Sequence, residues 1–566
     1  MKSSGIRFLA LLIVVYSVTL APVGVFAANK PLIKGLSKND EAVHVLSRLT
    51  FGARPGDVER VSKMGVEAYI AEQLAPDNID DSAVQKRLEK LPTLNLSTPI
   101  IAEQYYPRPK PTPTPTPGTA VAAAETKAVV DAAEAKPSPT PAAKPTPTPK
   151  NPQMVVTELQ RSKLLRAVYS ERQLNEVMVD FWMNHFSIYA QKDANRWLLT
   201  SFDRDSVRPF AMGRFRDLLG ATAHSPAMLF YLDNWQSSVL KTYPATKDKP
   251  ERTSGGINEN YARELMELHT LGVDGGYSQK DVQEVARCFT GWSIRKPNEE
   301  GTFYFNPAAH DNGEKTVLGT RIPAGGGIGD GERVLDILAK HPSTARFIAT
   351  KLARRYIGDQ PPEAVIKRAA KEFLATDGSI TETLRSVLTS PEFLSAQNFR
   401  SKVKSPFEFV VSALRITAAE TDGDRPVLDW IARMGQPVYG RVTPDGYPEI
   451  STEWLSTASL LGRVNFASAL AFNTIKGTKT TWQKVITGLR DRKDSARQVE
   501  AKLLFDNVSE VTRNQLDKLA SEAPADQQVA IANTSMTPPK ASEDPARAFA
   551  GKLIALALGS PEFQRK

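Results

Sequence analysis

The chain has little of what usually announces chemistry. A single cysteine, Cys288, excludes an intramolecular disulfide and any cysteine-built zinc or iron–sulfur centre. Next to Phe289, its thiol reads as a small buried side chain. Only six histidines occur. No Walker-type phosphate loop, His-Glu-x-x-His zinc helix, Gly-x-Ser-x-Gly nucleophile elbow or Asp/Asn-rich calcium loop is present, which removes the enzyme classes that depend on those spacings. Past the N-terminus, no run is apolar enough to span a bilayer. Excess charge is scarce too. The formal +9 falls to about +4 once Lys2, Arg7 and a proline-rich stretch with six Lys/Arg against three Asp/Glu are set aside. That is too weak a field for a nucleic-acid partner, so none is expected.

What is present is a globular composition, 41% hydrophobic and 24% charged over 566 residues. Residues 1–28 read as a signal peptide: Lys2 and Arg7, an apolar run from Phe8 to Tyr16, a break at Pro22 and Gly24, and small residues at Ala27 and Ala28 where cleavage is expected. The expected location is therefore periplasmic, cell-surface or secreted. Residues 107–153 form a proline-rich insertion in which Pro-Thr repeats flank an alanine-rich piece; alternating proline favours extended backbone with no donors to give, so the insertion is expected to be disordered. The rest divides into an N-terminal helical part (29–106), a main helical body (154–475) and a partly flexible helical extension (476–566).

Apolar spacing predicts a mainly α fold. Val43, Leu46 and Leu49 share one helix face, and Leu174, Val177, Met178, Phe181, Trp182, His185 and Phe186 form a wide stripe on another. Ser-Pro pairs at Ser225, Ser390, Ser405 and Ser560 are expected to start helices, with serine capping and proline at the first helical position. One small β-hairpin is expected, Thr302–Phe305 with Lys315–Leu318, turning through His310-Asp311-Asn312-Gly313. The glycine-rich loop at Gly325–Gly331 fails the dinucleotide spacing and reads as a flexible loop.

Polar chemistry concentrates between His185 and Asp311, where four of the six histidines lie. Asn258 to Gly272 reads as a helix with Tyr261, Leu265 and Leu268 buried and Glu259, Arg263 and Glu267 as a charge ladder. A tight turn then leads to a second helix, with Ser278 and Asp281 at capping-box spacing. Two antiparallel helices so joined bring His269 towards Asp281. His269 with Glu264 and Asp281, joined by His185 or by His310 and Asp311, has the nitrogen and oxygen donors of a divalent-metal site or an acid–base pair. The alternative is structural: a helix-end histidine, a cap, a paired face, and His185 as a core residue. Arg346, Lys351, Arg354 and Arg355 lie on one basic helix, suited to an anionic ligand or to a solvated face.

The string from Asn258 to Val273, continuing through Gly276-Tyr277 and Phe289-Thr290-Gly291-Trp292, resembles the bacterial family called domain of unknown function 1800. Supporting blocks are Leu46 to Gly56, Phe181 to Phe186, Ser225 to Asn234, His310-Asp311 with Lys315 to Gly319, His341 to Arg355, and Lys402 to Leu414. The resemblance implies an exported, mostly helical protein and carries no assigned activity. It also implies a partner, since such proteins are often encoded beside an exported alkaline-phosphatase-like family, domain of unknown function 1501. Two functions are expected from these readings. One is a cell-envelope or secreted binding and assembly protein working with that partner or with an envelope polysaccharide; the other is an exported hydrolase, metal-dependent or acid–base, built on the residues above.

Overall fold

The computed structural model describes residues 35–106, 150–247, 250–489, 491–522 and 545–566. Residues 1–34, with the expected signal peptide, and the proline-rich stretch up to residue 149 lie outside them. The fold is mainly α. The Lys38–Leu49 helix starts where Ser37 Oγ accepts from Asp40 N, 3.1 Å, and it buries Val43, Leu46 and Leu49 as spaced. Gln153–Tyr169 and Gln173–His185 are two helices, and the second buries the whole predicted stripe. Trp182 is fully buried and satisfies its indole by donating to Ala211 O, 3.0 Å.

The main apolar cluster extends from Ala42 to Phe563, so the N-terminal, central and C-terminal helices share a core, and a small second one gathers Val84, Leu88, Leu91 and Leu165. The Pro545–Gly559 helix packs against Thr457–Ala471. The flanks of the proline-rich insertion meet: Lys150 N donates to Gln104 O, 3.0 Å, and Tyr106 Oη donates to Pro152 O, 2.8 Å.

Three local expectations are corrected. In place of one hairpin, the described residues hold four two-stranded antiparallel ribbons. Thr302–Phe305 pairs back onto Trp292–Arg295, and Lys315–Val317 pairs forward onto Thr320–Ile322. The turn that decides the second pairing is Leu318-Gly319, both at positive φ (48° and 76°), the two-residue geometry that matches strand twist. Asn312-Gly313 makes no hairpin, because Asp311 Oδ1 accepts from Gly313 N, 2.8 Å, in a local side-chain turn.

Ser-Pro starts helices at Ser225 and Ser405 only. At Ser390 and Ser560 it follows a helix; Ser390 Oγ donates back to Val387 O, 2.7 Å, and the next aromatic, Phe393 or Phe563, drops into the core. Finally, the Asn260–Glu264 helix widens into a π-turn at Leu265–Thr270, with Leu271 N donating to Met266 O, 2.8 Å. The extra residue per turn leaves Leu268 half-buried and turns His269 and Thr270 inward.

Candidate functional site

The residues singled out by sequence do not meet in one site. His269 lies in the core between Phe186, 5.0 Å between ring centroids, and His185, 6.2 Å. His185 Nε2 donates to His269 O, 3.0 Å, which fixes its tautomer; His185 Nδ1 and His269 Nε2 have no hydrogen-bond partner among the described residues. Burial, reinforced by the Lys351 charge, pulls both imidazoles down, His269 to about 3, so both rings are neutral. Asp281 is committed elsewhere. It completes the expected capping box with Ser278 and accepts from Leu318 N, 2.8 Å, which holds its carboxyl below the usual range. Glu264 is half-buried, and burial with the neighbouring Glu267 charge raises its carboxyl.

His310 and Asp311 point to different partners. His310 Nδ1 donates to Thr290 O, 2.8 Å, and Nε2 faces Asp330 Oδ2 at 3.1 Å, where Lys315 Nζ also donates at 2.6 Å. Asp311 pairs with Arg287, 2.8 Å. Among the described residues no three His, Cys, Asp or Glu side chains converge as metal donors. The expected convergence of His185, Glu264, His269, Asp281, His310 and Asp311 is therefore corrected: the π-turn sends His269 into the core, Asp281 serves a cap, Asp311 pairs with Arg287, and Glu264 stays half-buried beside Glu267. Cys288 is buried and its thiol is pushed up to about 12. In the glycine-rich loop, Gly331 lies so close to the Trp292 indole that a Cβ would collide with it, a packing reason for glycine.

A different place has the form of a site. Five segments line most of a solvent-open cleft whose interior has about 50 Å³ of room. The Gln173–His185 helix contributes Asp180, Met183 and Asn184; the Gln153–Tyr169 helix contributes Lys163; the last turn of Pro342–Tyr356 gives Arg355. Phe407 and Glu408 come from the first turn of Pro406–Ile416, where Ser405 and Glu408 form a capping box. The fifth wall is a long, mostly irregular stretch, residues 435–456, that brings Gln436, Tyr439, Arg441, Tyr447, Glu449 and Trp454. Irregular segments of that length inside a compact domain are usually functional.

The wall is pinned. Asn184 acts as a strand-like clamp: its Nδ2 donates to Tyr447 O, 2.8 Å, and its Oδ1 accepts from Tyr447 N, 2.7 Å. Tyr231 Oη donates to Val442 O, 2.7 Å, and Ala190 N to Tyr439 O, 3.0 Å. Gly446, at φ +75°, lies where a Cβ would strike Asn184 O.

Inside, charges are matched in pairs. Lys163 meets Asp180 at 2.6 Å. Arg355, only 6% exposed, reaches Glu408 at 3.0 Å, Glu449 at 3.4 Å and Asp180 at 3.6 Å. Lys566 donates to Glu408, and its backbone pairs with Lys402 across a short antiparallel bridge. Burial would raise the Glu408 carboxyl, but Lys566 and Arg355 hold it far below the usual range. Burial draws the Lys566 ammonium down to about 7 against the pull of Glu408. A smaller cavity of about 10 Å³, room for about one water, continues past Asp180 and Tyr439 to Glu176, Asp203 and Arg208, where Arg208 meets Glu176 at 2.7 Å.

Sequence reading missed this cleft. Its residues are scattered from Lys163 to Lys566, and Arg355 looked like part of a basic helix face. Arg346 on that helix is exposed and paired with Glu363, whereas Arg355 is buried. One signal was legible, the irregular Gly/Pro-containing run after Met434, which had no helical period.

The sequence pattern of the family described as protein of unknown function DUF1800 matches residues 44–565, nearly the whole chain. The chain belongs to that family. Cleft residues from Lys163 to Trp454 lie inside the matched span of this DUF1800 chain. Comparison with curated proteins and with solved structures gives no match.

Proposed function

We propose that this chain is an exported binding and assembly protein of the bacterial cell envelope, periplasmic, surface-bound or secreted, working with an exported partner and an envelope polysaccharide. Export rests on the Met1–Ala28 pattern, and the phosphatase-like partner rests on the family resemblance. The observation that carries the binding reading is the cleft: a pinned wall and a set of carboxylates each already held by a cation.

Expression of the full chain in a bacterial host, followed by mass measurement and in-cell crosslinking, tests the proposal. The expected result is a mature N-terminus just after Ala27 or Ala28 and a crosslinked exported partner. Full-length protein retained in the cytoplasm contradicts it.

A second reading, an exported acid–base hydrolase, is favoured by one observation: Lys566 lines the cleft beside Glu408, and burial draws its ammonium down to about 7. Hydrolysis of an envelope polymer that Lys566→Met abolishes would put this reading first.

A further inference from the structure

We infer that Lys315 and Asp330 join covalently: the Lys315 side-chain amine and the Asp330 carboxyl condense into an intramolecular isopeptide bond with loss of water, and His310 carries a proton between them. None of the three lines the cleft, so the bond does not depend on what the cleft holds.

Lys315 Nζ lies 2.6 Å from Asp330 Oδ2, and His310 Nε2 faces the same oxygen at 3.1 Å. Each group is fixed by its own element. Lys315 opens the Lys315–Val317 strand, paired with Ile322, and its Nζ also donates to Asp311 O. Asp330 sits in the first turn of the Ile328–Ala339 helix. His310 is anchored through Nδ1 on Thr290 O, 2.8 Å. The glycine-rich loop closes over the carboxyl, since a Cβ on Gly326 would collide with Asp330 Oδ1. An amine and a carboxyl held together in this way react as if at very high concentration.

The place is also dry. The Lys315 and His310 side chains are 0% exposed and that of Asp330 is 2% exposed, with the Phe305 ring edge-on to the imidazole at 5.3 Å. In water an ammonium and a carboxylate stay apart as hydrated ions; in a dry interior both have lost that hydration, and condensation replaces two charges by one neutral amide and releases the water. The other short buried pair, Lys566 with Glu408, shares its carboxylate with Arg355 and has no imidazole bonded to it among the described residues, so it is expected to stay ionic.

Nζ passes one proton to Oδ2, leaving an amine beside a carboxylic acid. The Nζ lone pair bonds to Cγ, and the carbonyl electron pair moves onto Oδ1. His310 keeps a proton on Nδ1 for Thr290 O, so its Nε2 is free to accept; it takes the second Nζ proton and delivers it to Oδ2. The Cγ–Oδ2 bond breaks, water leaves and the Oδ1 carbonyl re-forms. Ammonium and carboxylate have become an amide and one water, with no oxidation and no outside reagent. The link ties the ribbon to the helix across 15 residues of chain, a closure that a protein with one cysteine cannot make by a disulfide.

Tryptic digestion of the purified full chain after unfolding in urea, read by mass spectrometry, tests this. The bond blocks cleavage after Lys315 and joins peptide 296–321 to peptide 322–333, at a mass below their sum by one water, about 18 Da. Lys315→Arg and Asp330→Ala are expected to release peptide 322–333 unjoined. His310→Gln, in chains that keep the wild-type circular dichroism, is expected to leave most of it unjoined, because a positioned acid–base group is worth about a hundredfold or more in rate. Separate peptides 296–315, 316–321 and 322–333 from the wild-type chain, each at its sequence mass, overturn the inference and leave Lys315 and Asp330 an ion pair. Joining in His310→Gln to the wild-type extent overturns the role of His310.

Discussion

Glu408 accepts from Lys566 and lies 3.0 Å from Arg355, in a side chain that water barely reaches. Removing its charge leaves the buried Lys566 without a carboxylate partner, while Arg355 keeps Glu449 and Asp180; breaking such a buried pair typically costs about 3–5 kcal/mol. Glu408→Gln is therefore expected to lower the urea midpoint markedly; a midpoint equal to wild type contradicts the buried pairing. The histidines give a pH dependence. His44, packed against Phe393, is pulled down to about 3 by burial and the nearby Arg48 charge, and His269 to about 3, with His185 depressed as well. In the unfolded chain each takes up a proton as pH falls through about 6.5, while the native rings stay neutral. Their stability contribution is present above pH 6.5 and is lost towards pH 3, at about 1.4 kcal/mol per pH unit for each ring. His224 has the opposite sign. Burial lowers it, but the Glu332 hydrogen bond more than offsets that, so its contribution is present at low pH and fades as pH rises above neutrality. Urea midpoints between pH 6.5 and 4 should fall steadily, and His44→Phe should shallow that fall; an unchanged slope in the variant refutes the assignment. Of these residues, His185 was legible from the sequence as a core histidine because its stripe is apolar. Arg355 was not, since helical periodicity shows which positions share a face and not which distant carboxylates cover it.

At the level of elements, the irregular wall at 435–456 depends on the Asn184 clamp at Tyr447 and on a glycine between them. Gly446→Ala adds a methyl where Asn184 O already sits, at a positive φ that alanine disfavours by about 1 kcal/mol or more. It is expected to detach the wall, lower the melting temperature by a few degrees and abolish binding of the proposed envelope polysaccharide. A variant with wild-type melting and binding shows that the wall is not held this way. Most helices were readable because each buries a periodic stripe and carries its own cap, as at Ser37, Ser278 and Ser405. The strands were not, because ribbons of two to six residues are set by turn geometry: Leu318 at positive φ gives no sequence warning, while Asn312-Gly313, the stronger turn signal, was diverted by Asp311. The π-turn at Leu265–Thr270 was equally invisible, and it turns His269 into the core.

For the whole molecule, a shared core runs from Ala42 to Phe563 and brings side chains from Lys163, Asp180, Arg355, Glu408 and Lys566 to one cleft. That convergence exists only in the tertiary fold, which is why the sequence pointed to the histidine-rich window instead. The central claim, that this cleft is where the protein holds the ligand proposed above, is tested most directly by amide hydrogen exchange on the purified chain with and without the proposed envelope polysaccharide. The account predicts slowed exchange in residues 184–188 and 436–454, with the segment around His269 and His310 unchanged. Protection confined to that second segment, or none anywhere, would contradict it.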